Sequence, residues 1–308
     1  MSSAGSTAEP GLRGVLPVLA TPFTERMTID ESALRDEIDW VFDAGADGVV
    51  VAMVSEILRL ATDEQEELGR IVCAHARGRG PVVLSVGAES THLALRLARR
   101  AEADGASAVM AIPPLTVACG AEETGRYFRA LAEEVSVPLI VQDASGYVGD
   151  PLSLKLQAEL LREFGAEHVQ FKPEAVPVGP RLSTLRDLTG GTARVFEGSG
   201  GAALVDSHAR GVVGTMPGPD LVWAVRALWD ALAVGDHERS RALDEALSPL
   251  MALVTSLGSY VAFEKYFLVR QGVLPAARVR EPLGFSLDEE TRQRLDLLFD
   301  RLEEVVRP

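Results

Sequence analysis

Three segments of the chain share one joint between a helix and a strand. AGADGVVV (44–51), ADGASAVM (103–110) and ARGVVGT (209–215) each close an amphipathic stretch on glycine and enter an apolar, mostly β-branched run at once. Glycine accepts the left-handed conformation that ends a helix, so the chain can turn directly into the next strand. A chain that repeats this joint returns every strand in the same direction, with a helix as each crossover. Eight runs fit the strand role: Val15–Ala20, Gly48–Val54, Val82–Val86, Ala108–Ile112, Leu139–Asp143, Val169–Lys172, Val195–Glu197 and Val212–Thr215. Most are nearly continuous in apolar residues, as parallel strands buried on both faces require. With 308 residues, the expectation is an α/β fold, a (β/α)8 TIM barrel of roughly 250 residues with a C-terminal helical extension. A doubly wound open sheet is the rival, disfavoured in its dinucleotide-binding form because no GxGxxG follows the first run.

The intervening stretches read as helices. In Leu93–Asp104, Leu93, Leu97 and Ala101 oppose Arg96, Arg99 and Arg100, with Ser90 or Thr91 as the cap. After about Pro219 strand signals stop, and 220–235, 237–271 and 287–306 are helical by period. The expected organisation is therefore a disordered lead over 1–11, a barrel over 12–235 and a C-terminal helical extension over 236–308.

Charge narrows the partners. Forty-five acidic against 30 basic residues leave −15, which repels phosphate backbones and anionic lipid, so neither nucleic acid nor membrane is an expected partner. No apolar run approaches the ~20 residues that span a bilayer, and MSSAGSTAEPG lacks the basic and apolar regions of a signal peptide. Cys73 and Cys119 form no CxxC pair and the five histidines show no ligand spacing. The expectation is a cytoplasmic chain with no metal site and no cofactor.

Only three of the basic residues are lysines: Lys155, Lys172 and Lys265. Where arginine serves almost every generic cationic purpose, a lysine can mark a need for an amine that loses its proton. Lys172, in EHVQFKPEA, falls at the C-terminal end of the sixth strand, where barrel enzymes place their chemistry. Desolvation there favours the neutral amine, a nucleophile toward carbonyls; a structural alternative is pairing with Glu174. Lys155 reads as a solvated helix residue, and Lys265, in FEKYF, as a cation on a helix surface.

These motifs carry a resemblance. GVLPVLATPF (14–23), AGADGVVV followed by VSE (54–56), TDEQEE (62–67), VPLIVQDASGYVG (137–149), VQFKPE (169–174) and GVVGTMPG (211–218) resemble the dihydrodipicolinate synthase / N-acetylneuraminate lyase superfamily of Schiff-base lyases, from Gly14 to about Val306. The resemblance gives Lys172 the Schiff-base role. The family's Gly-Thr-Thr-Gly-Glu motif falls at Ala52-Met53-Val54-Ser55-Glu56. Binding of the 2-oxo acid carboxylate carries over to Ser55, beside Val54, with Glu56 read as structural.

Three positions depart from the synthases. Their strand-five tyrosine falls at Gln142, which hydrogen-bonds but does not titrate. Their tyrosine pair after strand four falls at Leu115 and Thr116, and the arginine that binds the aldehyde substrate's carboxylate falls near Tyr147. VSE, QDASG and GTMPG instead resemble the 2-keto-3-deoxy sugar acid dehydratases. In that setting Gln142 and Asp143 join Lys172 as catalytic candidates. Val54, Ser55, Thr116, Ser145, Tyr147, Glu174 and Gly198 become substrate-binding candidates. Asp143 equally reads as a cap for the next helix, and Gly198 as part of a tight turn.

The expected function is dehydration of a 2-keto-3-deoxy sugar acid through an imine on Lys172. The alternatives are aldol cleavage or formation of a hydroxy-2-oxo acid, and a barrel that binds a 2-oxo acid without turnover. The expected partner is a small-molecule 2-oxo acid, and the resemblance implies a homotetramer built from dimers, or a homodimer.

Overall fold

The protein was analysed as a computed structural model that describes residues 11–307. Residues 1–10 of the expected lead lie outside them. The elements run β1 (Gly14–Val15), α1 (Glu31–Asp43), β2 (Val49–Val51), two 3-10 turns (Met53–Ser55 and Ile57–Arg59), α2 (Thr62–His75), β3 (Val82–Ser85), α3 (Thr91–Asp104), β4 (Ala108–Ala111) and α4 (Ala121–Glu134). They continue with β5 (Leu139–Asp143), α5 (Leu154–Phe164), β6 (Val169–Pro173), α6 (Val178–Leu188), β7 (Phe196–Glu197), α7 (Leu204–Ala209), β8 (Gly214–Thr215) and α8 (Val222–Val234). Three further helices follow: α9 (His237–Met251), α10 (Leu257–Arg270) and α11 (Glu289–Val306).

All strand pairs are parallel. β2 to β6 form one ladder in sequence order, and β7, β8 and β1 form another. Two parallel bridges, Val18 with Val50 and Phe171 with Val195, join the ladders and close the ring into the (β/α)8 barrel. The glycines of the three joints sit at φ +94° (Gly45), +95° (Gly105) and +90° (Gly211), the left-handed region the joint requires. Ser90 caps α3 by accepting the Leu93 N–H at 3.2 Å.

Strand alternation separates two cores. Leu16, Val50, Val83, Met110, Ile140 and Phe196 fill the barrel interior, whereas Val49, Val51, Leu139, Val141, Val169 and Phe171 face the surrounding helices. The helical stretch expected over 237–271 is two helices, because Ser256 starts a new one by accepting the Ser259 N–H. α9 and α11 pack against α8, and Leu243, Leu295 and Phe299 join the outer core.

Candidate functional site

The strand parity that builds the barrel also decides which polar side chains meet. On β5 and β6, Ile140 faces inward and Leu139, Val141, Val169 and Phe171 face outward. Gln142 and Lys172 fall on the inward phase and pair in register across the two strands. Both are almost fully buried, at 1% and 4% exposure.

Glu174, just past β6, completes the group. Lys172 Nζ donates to Glu174 Oε1 at 2.6 Å, and Gln142 Nε2 donates to Glu174 Oε2 at 2.8 Å. Burial pushes the Glu174 carboxyl above the usual carboxylate range, against the pull of Lys172 and the two hydrogen bonds. Gln142 Oε1 is buried with no hydrogen-bond partner. Such an acceptor costs free energy unless a bound donor satisfies it.

These three residues line a small pocket with Val54, Tyr147, Gly198 and Tyr260. A Cβ on Gly198 would lie 2.8 Å from Glu174 Oε1 and 2.9 Å from Lys172 Cε. Glycine there makes room for the pair. Tyr147 and Tyr260 meet edge to face, ring centroids 6.4 Å apart. Burial raises both phenols above their ordinary value, and Tyr260 Oη accepts the Gly218 N–H at 2.9 Å.

Four sequence-derived candidates lie outside this lining. Asp143 falls on the outward phase of β5. Its carboxylate accepts from Ser145 N and Oγ, from Leu152 N and from Arg181 Nη2, so it anchors the loop after β5. Ser145 is the partner in that anchor. Thr116 is exposed and donates through N and Oγ1 to Glu89. Ser55 is buried, but its hydroxyl donates to Leu19 O at 2.5 Å and accepts from Ala52 N at 3.1 Å, so it holds its own loop together.

Lys265 requires a correction. It is 0% exposed, not on a helix surface, because α10 lies over the loop after β2. Lys155 is solvent-facing, with a side chain 85% exposed. Sequence reasoning also missed Tyr260, which reaches the pocket from α10, beyond the barrel repeat. Met216 and Pro217 of the GTMPG motif line the pocket as well.

Among the described residues, no arginine lines this pocket, no cluster of three or more His, Cys, Asp or Glu is arranged to hold a metal ion, and no helix is long and apolar enough to cross a membrane.

Known proteins agree with the architecture. The chain is 30% identical to the L-2-keto-3-deoxyarabonate dehydratase of Azospirillum brasilense, covering 98% of each chain. It is 28% identical to the 4-hydroxy-tetrahydrodipicolinate synthase of Chlorobium phaeovibrioides, over 93% of this chain and 96% of the other. The crystal structure of dihydrodipicolinate synthase from Rhodopseudomonas palustris superposes with a TM-score of 0.86 at 25% identity, covering 94% of this chain and 98% of that one. Residues 11–301 match the profile of the dihydrodipicolinate synthetase family, and the chain, a (β/α)8 barrel, belongs to that family of lyases.

Proposed function

We propose that this protein dehydrates a 2-keto-3-deoxy sugar acid through an imine on Lys172. The observation that carries the reading is the buried chain Gln142–Glu174–Lys172, in which a nucleophilic amine touches a carboxyl able to hold its proton. The full-length similarity to the Azospirillum dehydratase supports the same chemistry.

In this reading Lys172 passes a proton to Glu174 and attacks the C2 carbonyl as the free amine. The carbinolamine hydroxyl takes that proton back from Glu174 and leaves as water, giving an iminium, which acts as the electron sink, and a Glu174 carboxylate. Glu174, as carboxylate, takes a proton from C3, and the C3–H electron pair moves toward nitrogen to give an enamine. The enamine then expels the C4 hydroxyl, which collects the proton from Glu174 and leaves as water. Gln142 Oε1, buried without a partner, accepts the hydrogen of that C4 hydroxyl and orients it before it leaves. Hydrolysis of the unsaturated imine releases the product and restores Lys172.

The substrate carboxylate is assigned to the backbone N–H groups of Met53 and Val54. They open a 3-10 turn, where the first donors have no partner within the turn. The test is product analysis on 2-keto-3-deoxy pentonates and hexonates, with borohydride trapping in parallel. Water loss and an adduct on Lys172 are expected. Release of pyruvate and an aldehyde would replace dehydration by aldol cleavage, which uses the same iminium. An adduct without turnover would make the protein a binder.

A further inference from the structure

Two of the three lysines in this chain are buried, and only one of them lines the pocket. Lys265 Nζ donates to Glu56 Oε1 at 2.5 Å, to Thr21 O at 2.7 Å and to Arg278 O at 2.6 Å. Its three hydrogens are thereby used on three separate segments: the loop after β1, the loop after β2 and the chain beyond α10. A compact ammonium meets such a set, whereas the planar fork of arginine is built for paired acceptors.

Glu56 is held from both sides. Its second oxygen accepts from Arg59 Nη1 at 3.2 Å and from Arg280 N at 3.3 Å. Its backbone sits at φ +57°, ψ +23°, in the left-handed region a side-chain-bearing residue enters only at a cost. That residue ends the turn Met53–Ser55 and starts the turn Ile57–Arg59. A strained junction persists when its surroundings over-determine it, and here the Lys265 ammonium is the central restraint. Thr21 ties the same loop a second time, its Oγ1 donating to Ser55 O at 2.5 Å.

Met53 and Val54 line the pocket that holds Lys172, three and two residues before Glu56. We infer that Lys265 is a positioning residue for capture of the 2-oxo acid: through Glu56 it fixes the Met53–Val54 turn at the distance from Lys172 that the substrate's carboxylate requires. The inference rests on the Schiff-base reading above. It makes the C-terminal extension part of the site without any group of it touching the reacting atoms through this lysine.

The experiment is borohydride trapping of pyruvate on the full-length chain, followed by intact mass across a range of pyruvate concentrations. Wild type is compared with Lys265→Met, Glu56→Gln and the double variant, which buries no unpaired charge. Each folded variant is expected to need about tenfold more pyruvate for half-saturation, the equivalent of losing one hydrogen bond to a charged group. The limiting trapping rate should stay within about threefold of wild type, because Lys172 and Glu174 are untouched. The double variant should be no worse than the worse single one, since both break the same link. Unchanged half-saturation in the double variant, or a limiting rate that falls while half-saturation does not move, overturns the positioning role. Should Lys265→Met fail to fold, Glu56→Gln and the double variant carry the same two outcomes. A wild-type chain that forms no adduct overturns the Schiff-base reading itself, and with it this inference.

Discussion

Lys172 Nζ lies 2.6 Å from Glu174 Oε1, with both side chains about 5% exposed. A buried pair this close is an ion pair, and in the proposed reaction it also passes a proton. Removing either partner leaves the other buried and uncompensated, so the two should fail in different and separable ways.

Lys172→Arg keeps a cation beside Glu174 but offers no neutral amine near pH 7. The borohydride-trapped adduct and turnover should both disappear. Peptide mapping checks this: an adduct that persists on Lys155 or Lys265 places the nucleophile elsewhere.

Glu174→Gln keeps the shape and the contact to Gln142 while removing the titrating group. Adduct formation should survive in part, and water loss should fall by about 10²- to 10⁴-fold, the usual contribution of a general acid–base group. The wild-type kcat/KM should fall as pH drops through the raised Glu174 value, because the base form is lost. A pH–rate profile of the variant should lack that acid limb.

Gly198→Ala tests the closeness of the pair without touching either member. The added Cβ would sit 2.8 Å from Glu174 Oε1 and 2.9 Å from Lys172 Cε, so the side chains must part. Adduct formation should slow by about tenfold or more, roughly the value of one charged hydrogen bond. The thermal midpoint should move little. A large drop in that midpoint with normal trapping would make Gly198 a turn residue only.

Stability should fall as the solution becomes alkaline. Burial raises Glu37 from 4.5 to about 8, offset in part by the Ala20 N–H and by Lys265. Burial likewise raises Asp220 from 3.8 to about 7, and Glu264 shifts the same way. Each folded group keeps a proton that the unfolded chain has already released. For Glu37 and Asp220 the stabilisation is complete below the ordinary carboxylate value and is lost as pH rises from there through about 8 and about 7 respectively, at about 1.4 kcal/mol per pH unit for each of the two groups until its folded value is passed. Glu37→Gln retains an acceptor for Ala20 N and should flatten this slope. Thermal midpoints between pH 5 and 9 decide it.

Pyruvate with aspartate semialdehyde should give little or no cyclised product. The pocket has Gln142 and Tyr147 where the synthases resembled by the sequence carry a relay tyrosine and a carboxylate-binding arginine, and among the described residues no arginine lines it. Loss of one buried charged contact costs about 2–5 kcal/mol, a rate loss of roughly thirtyfold to several thousandfold. A coupled assay for the cyclised product gives the answer.

How far the sequence reached depends on whether a residue's environment is set by its neighbours in the chain. The barrel was legible because its rules are local: glycine joints, apolar runs and helical period repeat along the chain, and each fixes its own segment. Lys172 stood out for the same reason, as an amine at the end of an apolar strand, and the pocket places it beside Glu174 and Gln142. Read from the sequence, Gln142 and Asp143 are both catalytic candidates; the alternation of β5 in the closed barrel separates them, since one residue's shift along the strand turns a side chain from the barrel interior to the helix layer. Tertiary structure alone decided the rest. Ser55 has the chemistry of a carboxylate ligand, but Leu19 and Ala52, brought up by β1 and β2, occupy its hydroxyl. Tyr260 and Lys265 lie on a helix whose own sequence gives no sign of what it covers. Only the packing of α10 over the ends of the strands brings Tyr260 to the pocket and buries the Lys265 ammonium against Glu56, 209 residues away in the chain. A charge's meaning is set by the acceptors that surround it, and those acceptors come from segments that only the closed barrel brings together.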